Sequence, residues 1–353
     1  GGEGGREGRG GGGGRRGGGE GERERTEIYT PVLHYAHPNW VSGANRLTGS
    51  RSREKLLELI QRLDRTEQLD YFTVTGGTIS TFRSRGWNIP SAYYGLGTFV
   101  TLAGRIRSTV NTPVIVTGRI VTPAQAEQVL KSGAADLVGM TRALIADPDL
   151  PTKARNQQPE QIRVCMGSNE GCIDRLYFGL PIGCVQNPVV GREQSWGNLT
   201  PATKPRHIVV IGGGPAGMET ARVAASRQHQ VTLLERDNKL GGAIQIVARA
   251  SGWESYLQCV TWLKNQLQDL EIDIRLETDA TTNLICSLSP DAVVVATGAE
   301  PRRPNLAGAN LPHVVTVSDI LSGSANPSGR CVILDETGYT PGATTAEDRK
   351  SVV

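Results

Sequence analysis

The chain has 353 residues, 38% of them hydrophobic, and a formal net charge of +3. That length accommodates two domains, and that charge balance gives no case for a nucleic-acid partner. No apolar run approaches the ~20 residues of a membrane span, no signal peptide is visible, and the six cysteines are not arranged as a disulfide framework. A cytoplasmic protein with no membrane partner is expected.

Residues 1–26 are a low-complexity Gly/Arg/Glu tract. Such a tract cannot bury enough apolar area to offset the entropy of ordering it, which predicts disorder. Gly/Arg tracts can bind RNA, but this one lacks interleaved aromatics. It reads as sequence that is not native, as do the last six residues, 348–353 (DRKSVV). On that reading the chain is a fragment.

Residues 27–52 contain Pro31, His34, His37, Pro38 and Trp40 without a clear period, and read as a polar loop rather than a histidine metal pair. Arg53–Asp64 (REKLLELIQRLD) predicts an amphipathic helix with Leu56, Leu59, Ile60 and Leu63 on one face. Residues 70–75 (DYFTVT) predict a strand that ends in Gly76 and Gly77, and a long loop with Trp87, Pro90, Tyr93 and Tyr94 follows. Residues 99–110 predict a helix and 113–120 (PVIVTGRI) a second strand. A helix over 123–132 opens after Thr122, a good N-cap, and stops at Gly133. Residues 135–148 (ADLVGMTRALIADP) predict a third strand running into a short helix. This alternation is that of a parallel sheet with three strands. In a β/α barrel the loops after the last two strands often bind phosphate. Gly118-Arg119 and Gly139-Met140-Thr141-Arg142 stand at such places.

Residues 163–188 (RVCMGSNEGCIDRLYFGLPIGCVQNP) hold Cys165, Cys172 and Cys184 in a C-x6-C-x11-C spacing. Closely set thiolates are soft ligands suited to iron–sulfur chemistry. The alternative is three free cysteines packed in a loop. Ser168 lies three residues after Cys165.

Residues 206–211 (RHIVVI) predict a short strand entering GGGPAG, Gly212 to Gly217 by number, then a helix, then a strand (QVTLLE) ending in Glu235. This is G-x-G-x-x-G in its strand–turn–helix setting. Gly212 makes the turn, Gly214 lets backbone approach a pyrophosphate, and Ala216 follows at the helix start. Gly217 lets helix and strand pack closely, and Glu235 accepts hydrogen bonds from a ribose. An acidic residue there favours an unphosphorylated ribose, as in FAD, ADP or NAD. Cys259, Cys286 and Cys331 are isolated and read as buried small apolar residues.

PVIVTGRI, AADLVGMTRALIADPDLPTKAR and the cysteine segment occur in this order in old-yellow-enzyme-like barrels. The chain resembles the NADH:flavin oxidoreductase family of multi-centre flavoproteins, of the 2,4-dienoyl-CoA reductase and trimethylamine dehydrogenase type. The resemblance implies FMN, its phosphate held by Gly118, Arg119, Gly139, Met140 and Arg142. It implies a 4Fe-4S cluster on Cys165, Cys172 and Cys184, with Ser168 where the reductases carry the second cysteine. Residues 239–242 (KLGG, with Gly242) and 291–301 (DAVVVATGAEP, with Thr297 and Gly298) resemble further nucleotide motifs of flavoprotein disulfide-reductase-like domains. In the reductases a strand like that starting at Cys331 opens a second nucleotide domain for NAD(P)H. Here Gly338 and Gly342 do not make a tidy fingerprint.

The resulting fold class is α/β: the C-terminal part of a TIM (β/α)8 barrel over 27–162, a cysteine-rich linker over 163–205 and a Rossmann-like domain over 206–347. The implied activity is a flavin-dependent oxidation–reduction of small molecules, enoyl or enone compounds or N-methylated amines, with an oligomer left open. The rival reading is a non-catalytic nucleotide-binding remnant. The proton donors of the family lie in strands not counted here, so no catalytic residue is assigned, and Arg85 and Trp87 are placed on the substrate side without a role.

Overall fold

The computed structural model describes residues 38–42, 53–77 and 82–335. The Gly/Arg tract, His34, His37, Gly338, Gly342 and the last six residues lie outside them.

The first part is a four-stranded parallel sheet in the order β1 (Pro38–Ser42), β2 (Tyr71–Thr75), β3 (Val114–Val116), β4 (Leu137–Val138). Val41, Val74, Val116 and Val138 stand in one register across it. Helix α1 (Arg53–Asp64) precedes β2; α2 (Phe82–Asn88) and α3 (Val100–Arg107) precede β3; α4 (Pro123–Lys131) precedes β4; α5 (Thr141–Ala146) and α6 (Leu150–Arg155) follow it. Phe72, Val74, Val114 and Val116 are fully buried and pack with Ile60, Phe99 and Ile106. Each such side chain contributes about 1.5–3 kcal/mol by leaving water. Thr122 caps α4 as its sequence indicates, its hydroxyl accepting from Gln125 N–H at 3.2 Å, while Gln125 accepts from Val121 N–H at 2.9 Å.

Two expectations are corrected here. The sheet has four strands, because residues 38–42 pair along the free edge of β2. The segment around Trp87 is helical over Phe82–Asn88 rather than a continuous loop; Trp87 stacks on Phe99, with ring centroids 6.2 Å apart.

A connecting segment contains a π-helical turn (Glu170–Asp174) and two short helices, α7 (Arg175–Tyr177) and α8 (Glu193–Trp196). The second sheet is parallel, in the order β7 (Ile272–Arg275), β6 (Gln230–Leu234), β5 (His207–Ile211), β8 (Ala292–Val295). Helix α9 (Pro215–Ser226) links β5 to β6; α10 (Ile244–Val247) and α11 (Leu257–Gln268) lead to β7; α12 (Thr282–Leu288) leads to β8; and α13 (Val317–Ser322) follows. In chain order the strands run third, second, first, fourth, so the winding reverses between β5 and β8. Ligands bind open α/β sheets at that reversal, beyond the strand C-ends. The strand expected from Cys331 does not form among the described residues, 331–335 being without regular structure. Cys286 and Cys331 are exposed rather than buried; Cys259 is buried.

The two parts share a seam. Gln161 accepts at its backbone carbonyl from Trp262 Nε1 (3.0 Å), accepts at its side chain from Gln266 (2.5 Å), and donates to Asp269 (3.0 Å). Further along, Met166 O accepts from the Ser255 hydroxyl at 3.1 Å. Residues 161–166 therefore run antiparallel to α11. Met166 and Ala92 enter the same apolar core as Trp253, Tyr256 and Leu263.

Candidate cofactor-binding sites

At the C-end of β3 the backbone turns through two left-handed residues, Gly118 (φ 102°) and Arg119 (φ 55°). Gly118 must lack a side chain: a Cβ there would stand 2.5 Å from the Phe99 ring. Gly139 N–H donates to Val116 O at 2.7 Å, and Met140 precedes the first residue of α5. Arg119 is 6% exposed. Its Nη1 donates to Ala92 O (2.8 Å) and to Tyr94 O, and its Nε has no partner. Arg142 donates to Asn169 Oδ1 at 2.5 Å, and Asn169 in turn donates to Ile89 O at 2.9 Å.

The two guanidiniums are close enough for the charge of Arg142 to act on Arg119. Burial pushes the pKa of Arg119 down and Arg142 adds to this; burial likewise lowers Arg142, against the opposing pull of Cys165 and Cys172. Neither forms an ion pair with a carboxylate among the described residues. Buried like charges without a counter-ion are costly, so this corner favours an anion. The arginines do more than the sequence suggests: Arg119 also fixes the 92–94 loop through carbonyls some 25 residues upstream.

The second site lies at the reversal of the second sheet. Gly212 (φ 104°) turns the chain out of β5, and a Cβ there would stand 2.4 Å from Ala296 O. Gly217 sits against the same turn, where a Cβ would fall 1.8 Å from Gly212 O. Gly214 opens α9, and a Cβ there would meet nothing within 4 Å. The helix start therefore presents the N–H groups of Ala216 and Gly217 beside open space, Pro215 having none and Met218 N–H donating to Gly214 O at 2.9 Å. Gly242 (φ 50°) closes the other side near Gly214; Thr297 lies beside Gly212, and Gly298 (φ 83°) faces open space. Glu235 is 7% exposed. One carboxylate oxygen accepts from Gly213 N–H at 2.5 Å and the other from Asp237 N–H at 2.9 Å. The Glu235–Gly213 bond ties the end of the second strand to the glycine turn. The motif gave no signal for that bond, since Gly213 is one of its unspecified positions.

Cys165, Cys172 and Cys184 are free and half-buried. Burial raises the pKa of the Cys165 and Cys172 thiols, Arg142 opposes it, and Cys184 raises both further. Backbone closes the group: Gly183 N–H donates to Gly171 O at 2.8 Å, and a Cβ at Gly171 would stand 2.7 Å from Val185 N. Among the described residues no three Cys, His, Asp or Glu side chains converge on a single metal point. The three thiols lie close enough to one another and to Arg142 for their charges to interact, but as placed they do not form a metal site. They do not supply four thiolates, because the remaining position is Ser168.

The arginine corner at the strand ends of one parallel sheet and the glycine turn at the reversal of the next fall in two stretches that resemble known oxidoreductases. Residues 84–161 match the NADH:flavin oxidoreductase / NADH oxidase family and residues 206–328 match pyridine nucleotide-disulphide oxidoreductase. Among curated relatives, N,N-dimethylglycine/sarcosine dehydrogenase of Chromohalobacter salexigens is 39% identical over 293 residues, 80% of this chain and 42% of its own length. The NADH oxidase of Thermoanaerobacter brockii is 34% identical, over 85% of this chain and 45% of its own. A solved 2-naphthoyl-CoA reductase in complex with 2-naphthoyl-CoA superposes with a TM-score of 0.73 at 31% identity, over 81% of this chain and 43% of that one. Over residues 84–161 this chain is similar to the NADH:flavin oxidoreductase / NADH oxidase family, and over residues 206–328 to the pyridine nucleotide-disulphide oxidoreductases. It spans less than half the length of these relatives. No helix among the described residues is long and apolar enough to cross a membrane.

Proposed function

We propose that this chain is the part of a flavin-dependent oxidoreductase that holds the FMN phosphate and binds an adenine nucleotide beside a cysteine site. The observation that carries the reading is the neighbouring guanidiniums of buried Arg119 and half-buried Arg142, near the strand ends of a parallel sheet and without a carboxylate partner among the described residues. Arg142 and the backbone of Gly118, Gly139 and Met140 receive the phosphate, and Arg119 shapes the corner. FMN supplies hydride and single-electron chemistry when bound.

The second site takes ADP, FAD or NAD. Gly212, Gly214, Ala216 and Gly217 bring the backbone to the pyrophosphate, with Gly242, Thr297 and Gly298 on the facing side. Glu235 offers its free lone pairs to the ribose hydroxyls, already oriented by Gly213 and Asp237. NAD(P)H as a further nucleotide rests on the family resemblance alone. Cys165, Cys172 and Cys184 would hold iron as three thiolates. The relatives act, by name, on an N-methylated amino acid and on an aromatic CoA thioester. N-methylated amines and enoyl or enone compounds are therefore the proposed small-molecule substrate classes.

Titration of the purified chain with FMN tests the corner. An Arg142→Ala variant is expected to bind FMN at least about tenfold more weakly, the worth of one charge-assisted contact, while binding ADP unchanged. Equal FMN affinity in both proteins refutes the assignment.

A further inference from the structure

The helical core of the first part lies on one side of its sheet. Val74 and Val116 point to that side and pack with Ile60 of α1, Ile106 of α3 and Val129 of α4. The opposite face carries Thr73, Ile115 and Leu137 in one register, three residues outside that core. Leu137 is 39% exposed although it stands in a parallel strand. Parallel sheets are normally covered on both faces, and a sheet with its helices on one face gets its second cover by closing into a barrel. Eight strands make such a barrel with a packed interior; this sheet has four, in sequential order. Among the described residues β1 pairs only with β2 and β4 only with β3, and the second sheet contributes no strand to either edge. All four strands run the same way, so the free edges of β1 and β4 are opposite sides of one ribbon. Each is the edge that the other would meet on closure.

We propose that a second copy of this chain closes the barrel, β4 of each copy pairing in parallel with β1 of the other. A two-fold rotation about an axis along the barrel keeps all strands parallel and makes both junctions at once, which is a closed, isologous contact. It removes the open edges that otherwise invite unspecific pairing. It also encloses Leu137 of both copies and sets both arginine corners at the same end of the barrel, since each corner lies at strand C-ends.

The test is sedimentation equilibrium and amide hydrogen exchange on the full chain. On concentration the mass is expected to rise to twice the 37.8 kDa of one chain. The amides of β1 and β4 are expected to exchange at least about tenfold more slowly in concentrated than in dilute solution, because their opening then requires dissociation. Leu137→Lys places a charge where the barrel interior would be, while in the single chain a lysine at this partly exposed position reaches water. That variant is expected to keep the circular dichroism of the unmodified protein and the mass of one chain. If it unfolds instead, exchange in the unmodified protein still decides. A single-chain mass at every concentration, a dimer whose edge amides exchange as fast as in the monomer, larger open-ended assemblies, or a folded Leu137→Lys dimer overturns the proposal. Edge amides that are equally slow at every concentration would mean that the chain covers its own edges, and overturn it as well.

Discussion

The guanidinium of Arg163 lies 4.0 Å over the ring of Trp262. Arg163 also approaches Glu219 at 3.7 Å, and Glu219 pairs bidentately with Arg222 at 2.8 Å for each bond. Arg163 comes from the cysteine segment; the other three residues come from α9 and α11. Trp262→Ala is expected to destabilise the protein by about 3–5 kcal/mol through lost packing. Trp262→Phe keeps a ring for Arg163 and loses only the bond to Gln161 O, a cost of about 1 kcal/mol. Denaturant unfolding of the two variants separates these amounts.

The glycine turn separates binding from folding. Gly214 has room for a Cβ, whereas Gly217 would bring one to 1.8 Å from Gly212 O. Gly214→Val is expected to fold with an unchanged melting temperature and to lose ADP and FAD binding. Gly217→Ala is expected to lose both stability and binding. Retained nucleotide affinity in Gly214→Val, measured by calorimetry, would remove the turn as the pyrophosphate site.

On the proposed reading Glu235 combines a ribose contact with its bonds to Gly213 and Asp237. Glu235→Ala takes away a ribose acceptor, weakening nucleotide binding by about 1–2 kcal/mol. It also strands the N–H groups of Gly213 and Asp237, for a further stability loss of about 1–3 kcal/mol. Thermal melts without and with saturating ADP resolve the two losses.

Replacing Ser168 with cysteine completes a set of four thiols. Iron and sulfide per chain after anaerobic reconstitution are expected to rise relative to the unmodified protein, with Cys184→Ala as the depleted control. Equal near-full occupancy in both would mean that the serine is an adequate ligand.

Asp64 ties the end of α1 to the turn before β3, accepting from Thr112 N–H at 2.9 Å and from Asn111 N–H at 3.1 Å. Burial raises its pKa, and the bonds from Thr112 and Asn111 together outweigh that and bring it below the usual carboxylate value. A lowered folded-state pKa means that this stability is present above the unfolded value of about 4 and is lost as pH falls through the folded one. The melting-temperature gap between the protein and Asp64→Asn should be constant at neutral pH and close below about pH 4. A gap that persists at pH 2 would assign the effect to shape rather than charge.

Much of this was legible in the sequence, because the signals were local. Thr122, three residues before Gln125, announces a helix start, and GGGPAG between a strand and a helix announces its turn. β1 was missed because Pro38 and Trp40 give no alternation, and only pairing with β2 makes those residues a strand. Helix α2 was missed because Gly86 interrupts its period. The bonds of Arg119 to the carbonyls of Ala92 and Tyr94, and of Gln161 to three groups on and just after α11, join residues 25 to 108 positions apart. No spacing rule reaches that far. Glu235 was found by its place after β6, but its bond to Gly213 depends on the tertiary turn.

The seam along Gln161 makes cohesion independent of the peptide that crosses it. Residues 192–206 are largely exposed and are the natural place for a protease to cut. Yet the cysteine segment lies upstream of that stretch while its partners, α9 and α11, lie downstream. A nicked chain would run as two bands in denaturant and still elute as one particle in native buffer, with Met166 remaining in a core built mostly by the other piece.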